Sequence, residues 1–382
     1  MKFLRVKFDN IGVFLDGITI DFSVDDRVID NTAVSEVYKS VQVLNVIGIV
    51  GVNSSGKTSV LKLIKFAMDI VLGGKSLKEI DISEGIILNG TILTIDFFHN
   101  DKFYRLESEF VENKSIMDDD RLNLKFGNEK IYSKNKSTVI SRDLIFEYNQ
   151  GNIIYSRKEM EDKKNFLLKS TDSIVLSVTQ DLMVYYTGMI RESNLNFYKV
   201  KGNAQMEFIN LFDNSIKSLK NDGDSLEVIF KNNTEEINCS SPLKSQEFLS
   251  SGTIKGGNLI YKIDKAIKSG GYVLVDEIEI HMHKQLVLTI IDFFNDPEIN
   301  KKGATLVFTT HYAEILDNIE RKDNIYITKK TDNHRCTVVR YSDVINRNDI
   351  KKSDIFLANF TGGTAPKYEE IQKVRDFLCR DN

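Results

Sequence analysis

The chain has 382 residues, room for one large domain or two modest ones. Hydrophobic residues at 41% and charged residues at 28% are ordinary globular values and exclude a mostly disordered chain. A formal net charge of −4 excludes a global positive field that would draw the protein onto nucleic acid, while 51 Lys and Arg leave room for a local basic face.

The amino terminus, Met1–Asp9, alternates apolar and charged residues and lacks the apolar core of a signal peptide. Phe3, Val6 and Phe8 predict an opening strand; Ile18, Ile20 and Phe22 predict another after the turn Asp16-Gly17. Val43–Val50 is rich in β-branched residues and stops at Gly51, as a buried strand would. Beyond the glycine loop, Val60, Leu61, Leu63, Ile64, Ala67, Ile70 and Val71 recur at helical spacing until Gly73-Gly74. From Ile86 to Tyr155 the period becomes two. Ile92–Phe98, Tyr104–Phe110, Leu122–Phe126 and Leu144–Tyr148 predict an antiparallel sheet. Residues 157–222 are mostly helical by pattern, most clearly through Met206, Phe208, Ile209, Phe212, Ile216 and Leu219. Strand signals return at Leu226–Phe230. The last third alternates: a helix over 256–268, a strand Tyr272–Val275, a helix over 282–294 and a strand Ala304–Thr309. That alternation implies a parallel sheet with covering helices. The expected organisation is an N-terminal part over 1–156, a helical insertion lobe over 157–222 and a C-terminal part over 223–382.

Cys239, Cys336 and Cys379 are scattered and odd in number, which argues against a disulfide framework or zinc site and for a reducing cytosol. No apolar run approaches the ~20 residues of a membrane span. A soluble, cytoplasmic protein without membrane contact is expected.

Two segments carry chemistry. Gly51-Val52-Asn53-Ser54-Ser55-Gly56-Lys57-Thr58 fits G-x-x-x-x-G-K-[ST]. Triphosphate oxygens need several converging backbone N–H donors, and Gly51 and Gly56 permit that turn. The following helix, which begins inside the loop and runs on through Ser59, aims its positive end at the phosphates. Lys57 can reach the β and γ phosphates, and the Thr58 hydroxyl can ligate Mg²⁺. The second segment is Tyr272-Val273-Leu274-Val275-Asp276-Glu277, four apolar residues ending in two carboxylates. Asp276 is the candidate for Mg²⁺, through water. Glu277 is the candidate to orient and deprotonate an attacking water. Successive strand residues face opposite ways, so the two acids can serve different partners.

In this order and combination the motifs resemble an ABC-type ATPase head of the soluble branch that contains SMC, RecF and OLD-like proteins, and AAA-type ATPases of bacterial anti-phage defence. Leu249-Ser250-Ser251-Gly252-Thr253 resembles the signature loop, Asp276-Glu277-Ile278-Glu279 the Walker B strand with its catalytic glutamate, and Phe308-Thr309-Thr310-His311 the strand ending in a switch histidine. Phe8–Phe14 resembles the family's opening strand and turn, and Phe360–Pro366 a C-terminal element of the defence ATPases. The resemblance implies an α/β, P-loop fold of the ABC-ATPase kind, with a mixed central sheet, an antiparallel β subdomain and a helical insertion lobe. The sequence departs from the family pattern at several positions. Ser54 and Ser251 stand where relatives have Gly, Gly12 where they carry Arg or Lys, and Lys284 where Pro is common. Neither Gln150 nor Gln180 fits the family's Q-loop convincingly.

The resemblance further implies ATP with Mg²⁺ as ligands and a head-to-tail dimer enclosing them. Ser250, Ser251 and Gly252 of one copy would then approach the γ-phosphate held by Lys57 of the other. Ser250 and Ser251 also precede an amphipathic helix, so a plain helix cap is an open alternative. His311 would hydrogen-bond the γ-phosphate. His281 and His283 read as structural or interface residues. Two roles stay open: a regulator of a separate effector, such as a nuclease or toxin, in anti-phage defence, or a RecF/SMC-like DNA-repair ATPase that binds DNA with ATP. The interval between the motifs is too short for a long coiled coil, and the stretch after His311 too short for a fused nuclease domain.

Overall fold

The computed structural model describes residues 1–25, 33–81, 85–113, 124–139, 143–162, 168–190, 197–231, 236–331, 333, 335–345, 350–359 and 368–380. Contacts divide the chain into two units, Met1–Met183 with Thr310–Asn382, and Val184–Thr309. The segment Phe360–Pro366 lies outside the described residues.

The first unit holds an antiparallel sheet in the spatial order Ile18–Asp21, Lys2–Asp9, Ile92–His99, Lys102–Glu112, Leu124–Asn135, Ile153–Ser156. Its strands alternate as a half-covered sheet should: Tyr104, Leu106, Ser108 and Phe110 face inward along Lys102–Glu112. The helix Lys57–Val71 covers that face, with Phe66 packed against Phe8 and Phe110 at ring-centroid distances of 6.2 and 5.5 Å. The buried strand expected over Val43–Val50 is in fact two, Val41–Leu44 and Val46–Val50. Buried Asn45 separates them, accepting a hydrogen bond from Ser35 Oγ. The first pairs antiparallel with Val34–Tyr38; the second runs parallel to Ile325–Lys330, which pairs antiparallel with Cys336–Arg340.

In the second unit Tyr272–Val275 is flanked in parallel by Tyr186–Met189 and by Thr305–Thr310. All four of its residues are buried, as a strand covered on both faces requires. Helix Ser251–Ser269 packs closely through glycine. A Cβ on Gly256 would lie 2.3 Å from the Phe212 ring, and one on Gly257 would lie 3.0 Å from Tyr198. A separate antiparallel sheet runs Gly202–Asn203, Ile216–Asn221, Leu226–Phe230, Glu236–Cys239.

Two expected elements differ. Residues 206–219 do not form one helix: Met206–Asn210 is helical and Ile216–Asn221 is a strand. Asp213 breaks the helix, its Oδ1 accepting from both the backbone N and the Oγ of Ser215. Ile216 and Leu219 enter the core as strand residues instead. Among the described residues, the wider stretch 157–222 carries only the short helices Arg157–Glu161, Leu176–Thr179 and Met206–Asn210, together with strands. Leu144–Tyr148 is not a strand either. Asp143–Phe146 makes a 3₁₀ turn, because three successive apolar residues pack around a shared cluster with Leu4, Val41 and Phe103 rather than alternating.

Candidate nucleotide-binding site

The loop Gly51–Gly56 joins the fully buried strand Val46–Val50 to the helix Lys57–Val71. Gly51 has no room for a side chain: a Cβ there would lie 2.2 Å from Thr328 Oγ1 and 2.4 Å from Ser55 Oγ. Those two hydroxyls bond each other at 2.6 Å, and the Thr328 hydroxyl also meets the Val50 carbonyl. Gly56 caps the helix in the left-handed conformation, φ 98°, above the Phe14 ring and Cys336. Ser54 also adopts φ 61°, the conformation that explains why glycine is usual at that position in the resembled family. Asn53 and Ser54 are exposed at the loop tip, while Ser55 is buried.

No side chain caps this helix and its first turn carries no acid. Its positive end is therefore left for an anion. Thr58 and Ser59 sit in that turn, half-buried. The Lys57 ammonium, on a side chain otherwise buried, donates to the carbonyls of Gly51 at 2.8 Å and Val52 at 3.0 Å. It also lies 3.4 Å from His311 Nδ1. The loop, its lysine and His311 thus meet within the first unit. The Gly12 departure has a local cause: a Cβ there would lie 2.3 Å from the Gly85 carbonyl, so the turn has no space for Arg or Lys.

The second unit carries the carboxylates. Asp276 follows the strand Tyr272–Val275 and is 6% exposed. The Thr309 hydroxyl donates to Asp276 Oδ1 at 2.6 Å and accepts from the Glu277 N–H at 2.7 Å. The Glu277 carbonyl accepts from Lys255 Nζ at 2.8 Å. Glu277 itself has φ 48°, a backbone conformation costly for a non-glycine residue, and these two bonds hold it. Burial pushes the Lys255 ammonium down to about 8, against the opposing pull of Glu279, Glu277 and Asp276.

Ser250 is the N-cap of Ser251–Ser269, its Oγ accepting from the Thr253 N–H at 3.1 Å. Ser251 opens the helix. Gly252 lies against the His281 carbonyl, 2.7 Å from where its Cβ would be. His283 caps the helix Lys284–Asn295, its Nδ1 accepting from the Gln285 N–H at 3.2 Å, in keeping with a structural role.

Sequence reasoning missed Thr309, Lys255 and Thr328. The signals for them were weak: a hydroxyl near the end of an apolar strand, a lysine among glycines on the inward face of a helix, and a threonine in a late strand. Among the described residues no group of three or more His, Cys, Asp or Glu is placed to hold a metal. Any Mg²⁺ would take most of its ligands from phosphate and water, and within the first unit the Thr58 hydroxyl is a suitable protein donor. The uncapped helix end, the side-chain-free cradle and the lysine fit a triphosphate.

A phosphate-binding loop of this geometry, between a buried strand and a helix, is that of a P-loop domain, and the family match makes it one of the AAA type. The chain belongs to the family described as "AAA domain, putative AbiEii toxin, Type IV TA system", which matches residues 46–317 and so spans both motif segments. None of the curated proteins matches the chain. Among solved structures it is similar to the SMC head domain from Thermotoga maritima, at 11% identity and a TM-score of 0.42, over 89% of this chain and 99% of that one. Among the described residues no helix is long and apolar enough to cross a membrane.

Proposed function

We propose that the chain binds ATP with Mg²⁺ through Gly51–Thr58, hydrolyses it within a pair of copies, and uses that cycle to control a separate effector in a toxin-type defence system. The observation that carries the reading is the Lys57 ammonium, held across Gly51–Val52 beside His311 at an uncapped helix end. Gly51, Asn53, Ser54, Ser55, Gly56 and Ser59 shape the cradle. Mg²⁺, when bound, would neutralise phosphate charge. Thr58 and Asp276 are the residues that would hold it. Glu277 takes the proton of the attacking water, and Thr309 and Lys255 hold its backbone at the strand end. His311 donates to the γ-phosphate. Ser250, Ser251 and Gly252 of the second copy close the site with a helix N-terminus.

The family's toxin–antitoxin description supports the effector role. The two-copy requirement is tested by ATP turnover on dilution. Activity per chain should fall as the protein is diluted; constant activity per chain over a wide range would remove the dimer from the account. Copurification from the native host should bring down an effector, and a lone chain under ATP-trapping conditions would count against that role.

A further inference from the structure

Arg335 directly precedes the strand Cys336–Arg340, in the same unit as the phosphate loop. Its carbonyl is fixed by Thr331, whose N–H and hydroxyl donate to it at 2.7 and 2.9 Å. The next residue ties this point to the opening turn. The Cys336 N–H donates to the Val13 carbonyl, and the Cys336 carbonyl accepts from the Leu15 N–H, both at 2.9 Å. The Cys336 sulfur in turn lies against the phosphate loop, 4.0 Å from the Ser54 carbonyl oxygen and 3.2 Å from where a Cβ on Gly56 would stand. Arg335 is therefore one residue away from a side chain that touches the loop.

Its guanidinium is directed at the opening turn. Nη2 donates to the Phe14 carbonyl at 2.8 Å and reaches the Ile11 carbonyl at 3.4 Å. Ile11 and Phe14 are buried, and the Phe14 ring packs under Gly56. The Arg335 Nε is itself buried and has no bonding partner. Among the described residues the group meets these two neutral carbonyls and no carboxylate. A charge drawn out of water in this way is costly unless an anion balances it. The turn has no room for a cation of its own at Gly12, where a Cβ would lie 2.3 Å from the Gly85 carbonyl oxygen. Arg335 brings one to that turn from the far end of the chain. The residue as a whole is only half-buried, which leaves part of its side chain within reach of a ligand.

We propose that Arg335 is a second phosphate-binding cation of the nucleotide site, its guanidinium taking an oxygen of the triphosphate that the loop and Lys57 hold. The uncapped helix end and the unbalanced guanidinium both favour negative charge at the loop. Arginine suits the task because its planar fork carries five N–H donors. Nη2 can keep its bonds to the carbonyls while other N–H groups meet an anion. The inference rests on the reading of Gly51–Thr58 as a phosphate cradle.

The test is calorimetry of ATP and of inorganic tripolyphosphate binding to the full chain. Arg335→Gln should weaken both by roughly tenfold or more, the size of a lost charge-assisted bond. Arg335→Lys keeps the charge and should recover most of that loss. A residue that only pinned the opening turn would lose its fork in both variants, so equal weakening by Gln and Lys would overturn the proposal. Unchanged binding in Arg335→Gln would overturn it too. So would weaker ATP with unchanged tripolyphosphate, which would put the group on the base or ribose. Lys57→Ala, measured beside these variants, separates this inference from the reading beneath it. If the wild type fails to bind ATP, the cradle reading falls and takes this inference with it. If Lys57→Ala binds weakly while Arg335→Gln binds like the wild type, only this inference falls.

Discussion

The glycine loop and the strand-end carboxylates each follow a fully buried strand, yet they gather opposite chemistry by opposite means. At Gly51–Thr58 the backbone does the work. Two glycines, a left-handed serine and an uncapped helix end present N–H groups, and a single lysine crosses the loop. At Asp276-Glu277 the working groups are side chains, and residues distant in sequence set them in place: Thr309 bonds the Asp276 carboxylate and the Glu277 N–H, and Lys255 bonds the Glu277 carbonyl. A site made of backbone fails when the chain cannot turn. A site made of clamped side chains fails when one functional group is changed.

That contrast sets the predictions, from the largest effect to the smallest. Glu277→Gln keeps size and backbone clamp but cannot take a proton. Steady-state ATP turnover should fall by about 10²- to 10⁴-fold, the usual contribution of a general base, while ATP affinity measured by calorimetry stays near wild type. Full turnover in that variant would move the base elsewhere. Lys57→Ala should act on binding instead. Loss of charge-assisted bonds contributing about 1.5–3 kcal/mol weakens ATP by roughly 10- to 100-fold.

Ser250 separates a cap from a contact. Ser250→Ala should lower stability by about 1 kcal/mol through the lost cap, read by denaturant unfolding. Ser250→Asp keeps the cap but adds a negative charge. If the residue meets a γ-phosphate, Ser250→Asp stops turnover with stability preserved; if it is only a cap, turnover survives.

The smallest effect is a pH dependence. The folded-state Lys255 lies at about 8, below its ordinary 10.5, so between those values the unfolded chain holds a proton that the folded chain has released. Stability contributed by this residue should therefore be level below pH 8 and rise from there towards 10.5. Melting temperatures of the wild type minus Lys255→Met should climb over that window; a flat difference would mean the ammonium is not buried as described.

The same contrast explains what could be read from the sequence. The loop was legible because G-x-x-x-x-G-K-[ST] specifies a backbone path, and the strand before it and helix after it follow from β-branched and 3.6-residue patterns. Tyr272–Val275 was legible as four apolar residues ending in acids. Thr309 and Lys255 were not, because their roles depend on a strand pairing and on an inward-facing helix position that no local pattern announces. The helix expected over 206–219 failed for a local reason: apolar spacing was read across Asp213, whose turn with Ser215 sends the chain into a strand. Gly12 shows the reverse case, a departure from the resembled family that becomes intelligible once the Gly85 carbonyl is seen against it.

The central claim is that ATP held by Gly51–Thr58 is hydrolysed between two copies of the chain. Light scattering on size-exclusion-purified Glu277→Gln, with and without ATP and Mg²⁺, tests it most directly. The account predicts the mass of one 43.6 kDa chain without nucleotide and of two with it, and the pairing should vanish when Lys57→Ala is added. A mass that does not change with ATP would contradict it.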